Sequence, residues 1–145
     1  MKTTIFAVAM GLMAAPALAD GHITGDAAAG ENAFKRQCVS CHVVKDDAGN
    51  TLAGRSARTG PNLFDLAGGV PGSVEGFNYS ASLASVGETG VVWDEATFAA
   101  YVMDPTTWLR DTLEDPRARS RMSFRVRNPE DAINLYAYLA QFSAE

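Results

Sequence analysis

The chain has 145 residues, of which 47% are hydrophobic and 20% charged, a globular composition with room for one domain. Its formal net charge of −5 excludes a general nucleic-acid binder, which needs an excess of Lys and Arg to meet phosphates. Two cysteines are too few for a disulfide framework.

Residues 1–19 read as a secretory signal. Lys2 gives a positive start, Ile5 to Ala15 is an apolar run, and Ala17 and Ala19 form an A-x-A cleavage pattern. The run is short for a membrane span and has no positive stop behind it. The mature chain is expected to be a single domain over residues 20–145. Export delivers it to an oxidising compartment, the periplasm, where two free thiols pair unless something else consumes them.

Beyond the signal, helices announce themselves by their caps. Asp26 precedes a helix over 27–37, and Asp94 precedes one over 95–103. Asp104-Pro105 reads as a cap and first-turn proline for a short helix near Trp108. Asn128-Pro129-Glu130-Asp131 opens the last helix, whose Ala132, Leu135, Tyr136 and Leu139 fall on one face. Glycine-rich connections run from Asp46 to Pro61, Gly68 to Gly76 and Gly87 to Gly90, and no alternating strand pattern stands out. The expected fold is all-α, with four to five short helices and long loops. Such loops add little core, so the chain needs an additional nucleus, such as a metal or cofactor.

Cys38-Val39-Ser40-Cys41-His42 supplies it. C-x-x-C-H is the pattern of covalent haem attachment. Two thiols on one tight turn can add to the two vinyl groups of a porphyrin, and the next residue offers an imidazole to the iron. A C-x-x-C redox pair would need a βαβ context that is missing. A zinc site would need about four ligands, and the other histidine, His22, belongs to the N-terminal tail of the mature chain. For the second axial position the candidates are His22, Met103 and Met122. Met103 ends a helix, where methionine usually fills core. Met122 lies in a non-helical stretch able to aim a thioether, and is favoured.

The chain resembles class I cytochromes c, in particular the bacterial cytochrome c2 subgroup. The resemblance runs from Gly30 to Leu139. After the cysteine motif come Thr59-Gly60-Pro61-Asn62-Leu63, Phe77-Asn78-Tyr79-Ser80, Val92-Trp93-Asp94, Tyr101-Val102-Met103-Asp104-Pro105, Arg121-Met122-Ser123-Phe124 and Ala137-Tyr138-Leu139. It implies one haem c bound through Cys38 and Cys41, with His42 and Met122 as axial iron ligands. It implies that the Pro61 carbonyl orients His42 and that Tyr79 and Trp93 donate to a haem propionate. Tyr101 and Ser120 match positions that bond near the Met sulfur or a propionate, and Gly30 against Tyr138 matches a close helix crossing. Many relatives carry an arginine near the inner propionate, where this chain reads Ala67-Gly68-Gly69-Val70-Pro71. Arg55 or Arg58 is then a candidate substitute. The stretches Lys45 to Arg58 and Leu109 to Arg119 are longer than in short members. The chain has only three lysines, so the usual lysine ring is missing.

The function expected is a soluble, monomeric periplasmic one-electron carrier, not an enzyme. The resemblance implies transient partners: a cytochrome bc complex as donor, a reaction centre or terminal oxidase as acceptor. A docking patch is expected at Arg119, Arg121 and Arg125, with Arg117 and Arg127 beside them. Two alternatives stand: a dedicated donor or acceptor of one periplasmic dehydrogenase or reductase, and a haem sensor or peroxidase that releases Met122.

Overall fold

The computed structural model describes residues 22–144. The expected signal segment and its cleavage site lie outside the described residues. Five helices are present among these: α1 (Ala27–Gln37), α2 (Ala81–Gly87), α3 (Glu95–Met103), α4 (Pro105–Leu113) and α5 (Pro129–Ala140). Four begin as the sequence indicates. Asp26, Asp94, Asp104 and Asn128 each accept a hydrogen bond from a first-turn amide, which satisfies a donor the helix itself cannot.

The frame is the crossing of α1 and α5. Gly30 makes it possible: a Cβ there would lie 2.6 Å from the carbonyl carbon of Asn134 and 2.8 Å from Tyr138 Cβ. The backbones therefore approach as only glycine permits. Asn134, although polar, is 93% buried because its Oδ1 accepts the Asp26 amide at 2.7 Å. Phe34 packs on Tyr138 with ring centroids 5.5 Å apart. Leu135 and Leu139 are buried on the same face of α5 as Ala132, as the helical spacing requires. At the start of α5, Gln37 Nε2 donates to Asp131 at 2.6 Å.

Two elements differ from the sequence reading. The Asp46–Pro61 connection opens with a hairpin, β1 (Val43–Lys45) pairing antiparallel with β2 (Thr51–Gly54), with an irregular step between Val44 and Lys45. Strands this short cannot display an alternating pattern. Asp46 closes the turn by accepting from both the amide and side chain of Asn50, and Gly49 takes φ +90°. These bonds also hold the Asp46 carboxyl below its ordinary value. Helix α2 is the second, because its Ala-Ser-Leu-Ala-Ser run carries no strong helix signal, yet Ser80 caps it by accepting the Leu83 amide. The stretch Leu109 to Arg119 is partly helical. Helix α4 continues to Leu113 and stops where Glu114 turns left-handed at φ 51°.

Candidate functional site

The helices and the loops between them enclose a cleft of about 240 Å³. Its lining is mainly apolar, with Phe77, Leu83, Phe98, Leu135 and Leu139 among the walls. Cys38, Cys41, His42, Pro61, Tyr79, Trp93, Tyr101, Arg121 and Met122 all line it.

Helix α1 delivers the cysteine motif. Cys38 is its C-cap, and the amides of Cys41 and His42 both donate to the Cys38 carbonyl, at 3.1 and 2.9 Å. One tight turn thus brings both thiols to the same cleft wall. Burial, helped by the neighbouring Cys41, pushes the Cys38 thiol up to about 12. A redox-active pair needs a depressed thiol to supply thiolate, so this environment opposes that use.

His42 Nδ1 lies 3.0 Å from the Pro61 carbonyl. A carbonyl can only accept, so this partner assigns the proton to Nδ1 and leaves Nε2 with a free lone pair. Burial depresses the His42 pKa, partly offset by the Pro61 bond, and so favours the neutral imidazole that a metal requires. The ring is pressed from one side by Gly60, a contact that the sequence reading did not single out. Its only sequence signal is a small residue beside Pro61.

The two candidate methionines occupy different places. Met122 lines the cleft, whereas Met103 lines a separate surface hollow with Ser123 to Arg127. His22 is exposed and does not line the cleft. Ser120 also stands behind the cleft wall: its Oγ lies 3.1 Å from the Tyr101 hydroxyl and accepts the Met122 amide at 3.0 Å. Burial raises the pKa of both Tyr79 and Tyr101, so both phenols stay neutral donors. Trp93 is stacked on Trp108 at 5.7 Å, and its carbonyl accepts the Tyr136 hydroxyl at 2.9 Å.

Neither Arg55 nor Arg58 lines the cleft. The guanidinium that does belongs to Arg121, which donates to the Asn78 carbonyl. Arg119 and Arg125 lie outside, exposed, with Arg125 pairing to Asp104 at 3.1 Å.

Two thiols, an imidazole and a thioether on one apolar cleft suit a flat macrocycle bonded at its edge and ligated at its metal. No buried side-chain polar atom among the described residues lacks a partner, so the cleft makes no competing polar demand. This mainly helical architecture, with its one small hairpin, is that of a class I cytochrome c.

No family model matches the chain. Individual proteins match it well. It is 53% identical over 118 residues to cytochrome c2 of Rhodovulum adriaticum, covering 81% of this chain and 93% of that one. It is 43% identical over 129 residues to cytochrome c2 of Cereibacter sphaeroides, covering 88% and 86% respectively. The crystal structure of cytochrome c2 from Rhodobacter sphaeroides superposes with a TM-score of 0.80 at 41% identity, over 83% of this chain and 98% of that one. The chain belongs to the bacterial cytochrome c2 family. It is an electron-transport protein whose cofactor is one covalently attached haem c. Among the described residues no helix is long and apolar enough to cross a membrane.

Proposed function

We propose that the protein is a periplasmic one-electron shuttle, exported by a leader cleaved after Ala19, and acting as a monomer without enzymatic turnover. In this reading Cys38 and Cys41 would bind the haem covalently, and His42 and Met122 would hold its iron. The observation that carries the reading is the convergence of both thiols, His42 and Met122 on one apolar cleft. When bound, the haem supplies a centre that takes and releases one electron.

The remaining residues set its environment. Pro61 fixes the His42 tautomer, and Tyr79 and Trp93 are the donors proposed for a propionate. Tyr101 acts through Ser120 on the Met122 segment. The Met122 thioether is a soft donor that favours the reduced metal, and the apolar walls disfavour added charge. Both raise the potential. If His42 and Met122 both held the iron, no substrate would reach it, which would set a carrier apart from a sensor or peroxidase.

For partners, we infer a cytochrome bc complex as donor and a reaction centre or terminal oxidase as acceptor. Docking would be electrostatic and brief. All five arginines from Arg117 to Arg127 are exposed, and Phe124, 45% exposed, lies among them. A spectrum at neutral pH tests the core of this proposal. The expected result is low-spin iron with a weak sulfur–iron band and slow carbon monoxide binding, and high-spin iron would overturn it. Stopped-flow reduction and oxidation with isolated membrane complexes then identifies the partners. A single periplasmic dehydrogenase or reductase reacting faster than any of them would replace the shuttle reading.

A further inference from the structure

The segment carrying Met122 is tied down on two flanks. On one flank it is held to α3: Ser120 Oγ shares a hydrogen bond with the Tyr101 hydroxyl, and the Val126 amide donates to the Val102 carbonyl at 2.9 Å. On the other, its contacts reach a stretch some forty positions earlier. The Arg121 guanidinium donates to the Asn78 carbonyl, and the Arg119 amide donates to Ser82 Oγ at 3.1 Å. Asn78 and Ser82 flank Ser80, the residue that caps α2, so both bonds end on an anchored stretch.

The geometry points to Arg121 as a positioning residue, whose guanidinium clasps the Met122 segment to residues 78–82 and keeps the thioether in the cleft. This rests on the reading of Met122 as an iron ligand. A thioether is a weak ligand on an unbranched, flexible side chain, so its residence depends on the backbone that carries it. Without Arg121, the α2 side of the segment hangs on the single Arg119–Ser82 bond. Arginine suits the task because its planar fork loses little freedom per bond formed, unlike a lysine ammonium on its flexible stem. The sequence reading assigned Arg121 only to docking, and an exposed arginine that merely rests on the nearest carbonyl would have no effect on the Met122 segment.

The test uses the haem-loaded oxidised protein near pH 8, where added imidazole is uncharged and the loss of a surface charge leaves its approach unaffected. Arg121→Gln is expected to raise the imidazole binding rate about three- to tenfold, an exposed charged hydrogen bond being discounted from its buried worth. Amide hydrogen exchange at Met122 and Ser123 should accelerate by a similar factor, with exchange in α1 and α5 unchanged. Ser82→Ala, which cuts the companion bond, should act in the same direction, and Arg121→Lys should recover part of the effect. Unchanged imidazole binding and exchange in Arg121→Gln would overturn the clasp. So would acceleration spread evenly over α1 and α5, which marks a global loss of stability. Persistence of the sulfur–iron band in Met122→Ala would instead sink the ligand assignment, and amide exchange would still decide the clasp.

Discussion

Gly60 lies against the ring of His42 so closely that a methyl group at position 60 would sit 2.6 Å from Nδ1 and 2.7 Å from Nε2. The Gly60 amide also donates to the Cys41 carbonyl at 2.7 Å, so the backbone there has no slack. Both contacts position the imidazole that Pro61 orients through Nδ1. Gly60→Ala therefore forces either the ring or the 60–61 backbone to move. The expected cost is about 1–3 kcal/mol in denaturant unfolding, the range for overpacking. A changed absorption spectrum should accompany it, because the Nδ1 bond must lengthen. A variant with wild-type stability and spectrum would show that the ring has room the geometry denies.

The two methionines separate cleanly by their surroundings. Met122→Ala is expected to abolish the weak sulfur–iron absorption band and lower the potential. Met103, in the outer hollow, should tolerate Met103→Leu at a cost under about 1.5 kcal/mol with little spectral change, because the swap nearly conserves volume. The reverse pattern in the spectra would reassign the sixth ligand.

At the helix crossing the carbonyl of Asn134 stands where a Gly30 side chain would go. Backbone cannot swing aside as a flexible side chain can. Gly30→Ala should cost about 1–3 kcal/mol or more by thermal unfolding. The Phe34–Tyr138 contact should loosen with it, visible as altered aromatic circular dichroism. Unaltered stability would mean that α1 and α5 can slide apart without penalty.

What was legible in the sequence was whatever a few consecutive residues carry. Asp26, Asp94, Asp104 and Asn128 each mark a helix start because a cap is a contact spanning two or three residues. The cysteine motif is legible for the same reason, being a single turn. The hairpin was not, because its strands are too short to show a period and its register is set by pairing Val43 with Gly54 across a turn. Met122 is favoured over Met103 because it lies in a non-helical stretch while Met103 ends α3, and the resemblance strengthens that choice. The contact of Gly60 with His42 and the bond from Arg121 to Asn78 join residues distant in the chain, and no local pattern encodes them.

Glu95 fastens the N-terminal segment to the first turn of α3. Its carboxylate accepts the Thr24 amide at 2.7 Å, the Thr24 hydroxyl at 2.6 Å and the Gly25 amide at 3.3 Å. Partial burial raises the Glu95 pKa, but these bonds outweigh it and hold the value below the ordinary 4.5. A depressed carboxyl means that Glu95 binds a proton more readily once the segment is released than while it is fastened. The contact is therefore fully present above pH 4.5 and is lost as pH falls through the lower, fastened value. The amide resonances of Thr24 and Gly25 should shift on acidification in the wild type and stay still in Glu95→Gln. Equal shifts in both proteins would assign the acid response to another group.

The arginines around Met122 are not equivalent, which sharpens the docking test. Arg121 is engaged with Asn78, so its removal would mix two effects. Among the described residues the Arg119 side chain bonds the nearby Pro116 and Ala118 carbonyls, and Arg125 pairs with Asp104 at the surface. Changing Arg119 and Arg125 to Gln therefore removes charge while leaving the Arg121 contact in place. If these residues meet an acidic partner surface, the bimolecular rate at low salt should fall by about three- to tenfold, within the range that steering supplies. The difference from wild type should vanish as added salt shortens the screening length to about 8 Å. The potential should barely move, because exposed charges couple weakly through water. A solvated loop without a docking role predicts equal rates at every salt concentration. That outcome, obtained with a partner already shown to react, would discard the patch and leave the electron-carrier reading standing.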